Sequence, residues 1–374
     1  MCWKRRVWPV STRSRLPPRP VATSKSTVRN STESILGAAW QRRGLLACLL
    51  WPLSLLFRFV GALRRGLYAV GWLRSTRLPV PVIVVGNIFV GGTGKTPLTI
   101  WLVQMLRQAG YVPGVISRGY ASQSTDGKPS VQHVADTSLA ADVGDEPLLI
   151  AMHGQCPVVV GRDRVAAAEA LLQGHPEVNL ILSDDGLQHY RLQRDIEIML
   201  FDSRGVGNGW LLPAGPLREP ASRRRDFTVV NAASISSSMP ASSIRMQLAG
   251  EHVVQLADPA QVRLLSDLRD PALRLAAAAG IGNPQRFFSM LSASGLAFEA
   301  LALPDHYDFS DNPFAALTAD LILITEKDAV KCRQIETIMR DPRIWVVPVT
   351  ARIDPALSHQ IHQILEKLRG HPTA

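Results

Sequence analysis

Val82 to Thr96 read VIVVGNIFVGGTGKT, and the rest of the chain is placed relative to this stretch. Val82, Ile83, Val84 and Val85 form a β-branched apolar run, which is the composition of a strand buried on both faces. A glycine-rich turn follows, and Gly94, Lys95 and Thr96 then open the amphipathic run PLTIWLVQMLRQAG. Strand, glycine loop and helix start make the context of a phosphate-binding loop. Backbone N–H groups at a helix N-terminus face the anion, and the helix dipole adds to the attraction. A lysine in this place reaches the outer phosphates, and a threonine hydroxyl ligates Mg²⁺. Pro97 suits a first helical turn, where its missing N–H costs nothing. One position departs from the strict pattern: five residues before Gly94 stands Phe89, with glycines at Gly86, Gly91 and Gly92 instead. A chance GKT in a glycine-rich turn is the competing reading, and the flanking strand and helix favour phosphate binding. The candidate nucleotide contacts are Phe89, Val90, Gly91, Gly92, Thr93, Gly94, Lys95 and Thr96.

The 374 residues suffice for two domains. A hydrophobic content of 46% with 19% charged residues implies a packed core. The net charge of +10 is unevenly spread. Residues 1–30 hold Lys4, Arg5, Arg6, Arg13, Arg15, Arg19, Lys25 and Arg29 and no acid, so the remainder is nearly neutral. The high pI is therefore no argument for a nucleic-acid groove. Cys2, Cys48, Cys156 and Cys332 are far apart without metal-ligand spacing, which suggests a reducing compartment and no disulfide framework.

Residues 1–34 are rich in Arg, Ser, Thr and Pro without apolar periodicity, and read as a disordered basic tail. The same composition resembles an organellar transit peptide, and an upstream start codon is a third reading. Residues 44–63, GLLACLLWPLSLLFRFVGAL, carry Arg58 as their one charge, with Arg42, Arg43, Arg64 and Arg65 flanking them. Basic flanks on a segment apolar on all sides favour a membrane-associated helical segment, 35–77, over a buried core helix. Pro52 in its middle makes a kinked, shallow insertion a natural alternative to a full span.

From 78 to 232, strand-like runs (82–85, 112–116, 157–160, 180–182, 196–201, 227–230) alternate with helical patterns (98–109, 165–173). This argues for an open parallel α/β sheet of P-loop type, with ligands at the carboxyl ends of its strands. Polar clusters fall there: SRGY at 117–120, GRDR at 161–164 and SDDGLQHYRL at 183–192. Residues 233–243 read as a linker into a second, smaller α/β domain, 233–374, which closes over the site. Its strands are expected at 273–278, 298–303, 321–325 and 344–349, with a closing helix at 357–368.

Asp184 and Asp185 end the apolar run NLILS, as the Mg²⁺-holding carboxylate does in phosphate-loop enzymes. Two adjacent aspartates point different ways, so one serves the metal and the other orients a base or ligand. GDEP at 144–147 offers Asp145 and Glu146, with a helix N-terminus as the bland reading. DHYDF at 305–309 offers His306, PAGPLREP at 213–220 offers Arg218 and Glu219, and TEKDAVK at 325–331 reads as a helix cap with ion pairs.

These motifs, in this order and with GIGNPQRFF at 280–288, resemble the tetraacyldisaccharide 4′-kinases, the lipid A 4′-kinases of Gram-negative bacteria. The resemblance runs from about Glu33 to the C-terminus, and that family shares the displaced glycine pattern at Phe89. It implies transfer of the γ-phosphoryl of ATP to the 4′-hydroxyl of an acylated disaccharide 1-phosphate lipid, giving lipid IVA at the cytosolic face of the bacterial inner membrane. It implies that Asp145 and His306 act together on the acceptor hydroxyl and that Mg²⁺ lies near Thr96 and Asp184; Asp185 and Glu219 match further motif positions and are taken as a catalytic and a metal candidate, beside Lys95, which the loop chemistry places on the transferring phosphoryl. His189 falls on a substrate position. Arg118, Arg164 and Arg218 are candidate partners for the phosphate the substrate already carries. The implied partners are the lipid substrate and the membrane, with no nucleic acid and no obligate protein partner. Two other readings stay open on the residues alone: a membrane-tethered ATPase or GTPase without an acceptor, and a non-catalytic membrane scaffold.

Overall fold

The computed structural model describes residues 37, 40–119, 131–135, 137–235, 239–240 and 242–369. The expected basic tail, 1–34, and Tyr120 of the SRGY motif lie outside the described residues. The helices are α1 (Leu45–Ala69), α2 (Lys95–Gln108), α3 (Ala140–Val143), α4 (Asp145–Gly154), α5 (Arg164–Gly174), α6 (Pro284–Ala293), α7 (Glu326–Cys332), α8 (Glu336–Met339) and α9 (Ala356–Arg369). The strands are β1 (Val82–Gly86), β2 (Pro113–Ser117), β3 (Gln132–His133), β4 (Val158–Val160), β5 (Leu180–Asp184), β6 (Ile196–Asp202), β7 (Phe227–Asn231) and β8 (Ile244–Ala249). They continue with β9 (His252–Gln255), β10 (Val262–Leu264), β11 (Leu275–Ala279), β12 (Phe298–Ala302), β13 (Leu321–Thr325), β14 (Ile344–Val347) and β15 (Thr350–Ile353).

The first sheet has nine strands in the order β15-β8-β7-β6-β1-β5-β2-β4-β3. Its centre is parallel, and every residue of β1, β2, β5 and β7 is buried, as the continuous apolar runs require. The β1–β5 register pairs Val85 with Asp184, and the β2–β5 register pairs Ile116 with Ser183. The phosphate loop, Asp184 and the end of β2 therefore share one sheet edge. The chain leaves β1 on one side of β5 and returns in β2 on the other, which opens the crevice where such sheets bind ligands.

Two cores cover the faces. On one, Leu98, Leu102, Val103 and Leu106 of α2 pack with Leu357, Ile361 and Leu365 of α9. On the other, Val165, Ala167, Ala168 and Leu171 of α5 pack with Phe89, Leu187 and Leu217.

The second sheet has six strands, β10-β9-β14-β13-β11-β12, with the four strands β12, β11, β13 and β14 parallel. Phe287, Phe288 and Leu291 of α6 cover one face, and Phe309, Phe314 and Cys332 the other.

The expected division at 232/233 does not coincide with a change of sheet. Strand β8 extends the first sheet in parallel with β7, β15 adds antiparallel to β8, and α9 closes the first core. The second sheet is thus an excursion from the first, entered between β8 and β9 and left between β14 and β15. The reason is periodicity: Leu357, Ile361 and Leu365 recur every four residues on one face of α9, and the stripe they form is buried by α2.

Helix α1 holds Pro52 inside it and buries only Ala47 and Ser54. It touches the body along its length. Trp40 Nε1 donates to Pro213 O at 3.0 Å and Arg43 Nε to Asn208 O at 3.1 Å at its start. Ser54 Oγ donates to Leu211 O at 2.8 Å in its middle, and Tyr68 packs on Tyr190 near its end. Leu49, Leu56, Phe59 and Leu63 are among the large apolar side chains it leaves exposed, beside the exposed Arg58 and Arg64.

The sheet assignment of α9 has a measurable consequence. Leu365→Ala leaves a cavity under α2, and we expect it to lower stability by about 2–5 kcal/mol in denaturant unfolding. A change below 0.5 kcal/mol, the scale of a surface substitution, would show that α9 is not part of the first core.

Candidate active site

The phosphate loop is braced from within. Asn87 is fully buried and its Nδ2 donates to Phe89 O at 2.8 Å and Gly91 O at 3.1 Å. Its Oδ1 accepts from Lys95 Nζ at 3.3 Å. Asn231 Nδ2 donates to Thr93 O at 3.0 Å. Gly94 caps α2 with φ +97°, and a Cβ there would come within 2.4 Å of Asn231 Nδ2, so the position needs glycine on two counts.

Phe89 is 4% exposed and packs in the α5-side core, with the Arg204 guanidinium 4.2 Å from its ring centroid. Arg204 also pairs with Asp202 and donates to Gly92 O at 3.2 Å. The residue that breaks the strict glycine pattern is therefore an anchor of the loop. Among the expected nucleotide contacts, the buried Phe89 side chain faces the core; Gly91 and Gly92 stand exposed. Sequence reasoning missed Arg204 and Arg286. Arg286, in the first turn of α6, reaches across from the second sheet to Thr93 O at 3.4 Å and Asn231 O at 3.1 Å.

Asp184 ends β5 with 1% exposure. Thr99 Oγ1 and Ser117 Oγ each donate to its carboxylate at 3.3 Å. Burial first, and then the charge of Glu146, push its pKa up to about 7, against the opposing pull of Lys95. Asp185 has φ +48°, a left-handed backbone uncommon for a non-glycine residue, which turns its side chain away from that of Asp184. It lies 3.5 Å from Lys95 Nζ and 3.8 Å from Arg218 NH1. Burial would raise its pKa, but Lys95, Arg218 and Arg164 outweigh that and hold it below the ordinary value.

The expected substrate partners separate into two groups. Arg118 is exposed and Arg218 half-buried, with both near the loop that carries His189. Burial, reinforced by Arg164 and Arg118, pushes His189 down to about 4, so it is a neutral imidazole at pH 7. Arg164, by contrast, is 2% exposed and donates to Gly161 O at 2.6 Å and Asp184 O at 3.3 Å. As the first residue of α5 it is drawn under the sheet edge, where it braces the end of β5 rather than meeting a substrate phosphate. Burial lowers its pKa to about 10.

Glu219, expected as a metal ligand, has one carboxylate oxygen engaged by protein groups and the other, Oε1, buried without a hydrogen-bond partner among the described residues. Its Oε2 accepts from Tyr190 Oη at 2.7 Å and pairs with Arg223 Nε at 2.9 Å. Its charge is matched inside a cluster with Arg194, Arg223 and Glu197 that backs Tyr190.

Asp145 and His306 do meet. Gly144 caps α4, so Asp145 is its first residue, 2% exposed, with Oδ1 accepting the Glu146 N–H at 2.9 Å. His306 sits on the loop after β12 with φ +58°, held by its own N–H donating to Gly280 O at 3.1 Å. Its Nδ1 lies 3.2 Å from Asp145 Oδ2. Burial works to raise the Asp145 pKa, and the His306 hydrogen bond with the charges of Lys327 and Lys331 overcomes it, leaving the group below its usual value. The loop that carries His306 reaches the phosphate loop: a Cβ on Gly282 would lie 3.0 Å from Asp305 Oδ2 and 3.6 Å from Gly92 N.

The residues fit a divalent ion that arrives with a nucleotide. Asp184 offers a buried carboxylate that no ion pair among the described residues engages, and Thr93 Oγ1 is buried without a hydrogen-bond partner. Among the described residues no group of three or more His, Cys, Asp or Glu side chains has metal-binding geometry. Mg²⁺ held here by Thr96 and Asp184 would complete its shell with phosphate oxygens and water, which is its usual preference.

The family described as tetraacyldisaccharide-1-P 4′-kinase matches residues 46–366. A tetraacyldisaccharide 4′-kinase of Janthinobacterium sp. (strain Marseille) is 61% identical over 350 residues, covering 92% of this chain and 99% of that one. Another, of Herminiimonas arsenicoxydans, is 58% identical over 368 residues, covering 95% and 100%. Among solved structures, an "apo" form of LpxK from Aquifex aeolicus in complex with ATP superposes with a TM-score of 0.69 at 27% identity, covering 86% of this chain and 100% of that one.

The position of Phe89 yields a test. Phe89→Gly restores the strict glycine pattern, yet it removes a core side chain and the seat of Arg204. We expect a loss of about 3–5 kcal/mol in stability and weaker ATP binding. Tighter ATP binding in a variant of unchanged melting temperature would reverse this reading of the loop.

Proposed function

Because the chain belongs to the tetraacyldisaccharide 4′-kinase family, we infer that its site moves the γ-phosphoryl of ATP to the 4′-hydroxyl of a tetraacylated glucosamine disaccharide 1-phosphate, giving lipid IVA. The observation that carries the mechanism is the Asp145–His306 pair, whose histidine follows Asp305 on a loop that nears the phosphate loop. An ATPase or GTPase that hydrolyses without an acceptor has no use for such a pair.

A sugar hydroxyl has a pKa far above 7 and needs a base as the new bond forms. The His306 side chain is 39% exposed and that of Asp145 only 3%, so His306 is the member that can meet a substrate. With its Nδ1 proton directed at Asp145, His306 takes the 4′-hydroxyl proton on Nε2. The hydroxyl oxygen bonds to the γ-phosphorus while the bond to the β–γ bridging oxygen breaks, and ADP leaves with that electron pair. Asp145, held ionised, orients the imidazole and stabilises the imidazolium. Lys95 and the loop amides stabilise the charge on the transferring group. Mg²⁺, when bound, supplies further neutralisation of phosphate charge from Thr96 and Asp184. Asp185 keeps Lys95 directed along the loop. Arg118, Arg218 and the neutral His189 are suited to the 1-phosphate and sugar of the acceptor. The second unit, 250–349 by its sheet, brings His306 and Arg286 and closes the site.

The acceptor is a lipid, and α1 provides a place for it. A helix of 25 residues is about 38 Å long, enough to cross a bilayer. A crossing helix can touch a body outside the bilayer only near one end, whereas α1 touches it at Ser54 and Tyr68, and Arg43 just before the helix touches it too. This supports an anchor lying in the cytosolic leaflet of the inner membrane, with its exposed apolar face in the acyl region. Tyr68 and Arg64 meet Tyr190, next to His189, so the sugars of an embedded lipid are led toward the site.

Mass spectrometry of the lipid after incubation with ATP, Mg²⁺ and the disaccharide 1-phosphate tests the activity, and one added phosphoryl group is the expected result. Asp145→Ala and His306→Ala should each cut kcat by about 10²–10⁴-fold with ATP affinity kept, and the double variant should be little worse than the worse single one. Multiplicative losses would argue against a pair acting as a unit.

The anchor reading predicts the sidedness of Gln41, just before α1. In a variant without native cysteines, Gln41→Cys should stay protected from an impermeant maleimide in spheroplasts and react after lysis. Labelling of intact spheroplasts would mean that α1 crosses.

A further inference from the structure

The motif TEKDAVK, 325–331, remains unused by the reaction described above. Thr325 caps α7, its Oγ1 accepting from Asp328 N at 3.2 Å, so Lys327 and Lys331 fall four residues apart on one helix face. That face meets Asp145. Lys331 Nζ lies 3.6 Å from its Oδ2 and Lys327 Nζ 3.9 Å from its Oδ1, and Lys327 also pairs with Glu146 at 3.0 Å.

The lysines are fixed to the element that carries His306. Asp328 is fully buried and accepts from Gly280 N at 3.0 Å and Thr325 Oγ1 at 2.6 Å. Gly280 O in turn accepts from His306 N, and Lys331 Nζ donates to Tyr307 O at 2.8 Å. His306, Lys327 and Lys331 are therefore one preassembled cradle on the second sheet, and Asp145 enters it from the first.

We propose that Lys327 and Lys331 are positioning residues for phosphoryl transfer, holding Asp145 as the ionised, oriented partner of His306 so that the acceptor base exists only where the two units are docked. This rests on the reading of Asp145 and His306 as the acceptor pair. Among the described residues, the charged groups around Asp145 are His306, Lys327 and Lys331 from the second unit and Glu146 from its own helix, with Asp305 behind His306 at 3.8 Å. The two lysines are the only fixed cations in that set. Without them, a carboxylate this buried would rise toward protonation, and His306 would lose the acceptor for its Nδ1 proton. Burial draws Lys327 down, but Glu146 and Asp145 outweigh it, and its pKa is raised, so the charge is secure at neutral pH.

The sign of the effect follows. Cations near the pair disfavour its protonation, so their removal raises the pH at which the base is lost. With the full-length enzyme and saturating ATP and lipid acceptor, Lys331→Met and Lys327→Met should each move the acidic limb of the kcat–pH profile up by about one unit. The KM for ATP should change by less than about twofold, since neither lysine touches the phosphate loop. Lys331→Arg, which keeps the charge, should restore the wild-type limb. An unmoved limb in both methionine variants would overturn the proposal even if kcat fell, because a merely structural role lowers the rate without shifting the profile. A limb displaced as far by arginine as by methionine would overturn it as well. Should Lys331→Met fail to fold, Lys327→Met carries the same test. Asp145→Asn separates the two levels: retained activity there removes the acceptor pair itself, whereas lost activity with unmoved lysine variants removes only the lysines.

Discussion

A carboxylate shut away from water must be paired, and Asp145 is shut away at a seam. Leaving such a charge unmatched costs several kcal/mol. Its side-chain partners, His306, Lys327 and Lys331, all stand on the other sheet. Docking of the two units is thus a condition for Asp145 to be ionised at low cost, and the ionised Asp145 favours docking. At the far end of α4 the seam is closed by His153 Nε2, 2.9 Å from Glu326 Oε1, while Glu326 Oε2 accepts from Val349 N.

The chain's path makes that docking repeatable. The second sheet is tethered twice, by residues 250–251 going out and 348–349 coming back, and the two connections touch: a Cβ on Gly250 would lie 3.2 Å from Pro348 O. Two adjacent short connections restrict relative motion to something near a hinge, so the loops carrying His306 and Arg286 return to the same place. Arg286 meets the phosphate loop and His306 meets Asp145 on the same approach. One unit thus supplies both a contact to the phosphate loop and a partner for Asp145.

Much of this was legible in the residues. Val82–Val85 with GGTGKT placed the central strand, the phosphate loop and the helix after it, because a β-branched run followed by glycines leaves few alternatives. The apolar runs of the second unit marked its four parallel strands in the same way, though their ends shifted by up to two residues. The return of β15 and α9 to the first sheet was not legible: an amphipathic stripe says that a helix is buried, not by which sheet. Short antiparallel strands such as β9 and β10 carry too little pattern to be found. The burial of Arg164 and the pairing of Glu219 with Arg223 were not legible, because a charged residue in a motif reads the same whether it meets a ligand or is buried against a backbone carbonyl or a neighbouring arginine. Lys327 and Lys331 read as ion pairs, correctly, but the partner that gives them meaning is about 180 residues away in sequence.

The arrangement of charges also explains why two buried carboxylates, Asp184 and Asp145, behave oppositely. Asp184 is hydrogen-bonded only by hydroxyls, so burial dominates and its pKa rises. Asp145 meets two ammonium groups and an imidazole, which outweigh burial, and its pKa falls. Glu146 stands between them, lending its negative charge to Asp184 while pairing with Lys327. A divalent cation is the group that would most stabilise the first, and a neutral histidine with a proton to share suits the second. On the function proposed above, one carboxylate is suited to a metal–nucleotide and the other to an acceptor hydroxyl, and the division is set by which neighbours each was given.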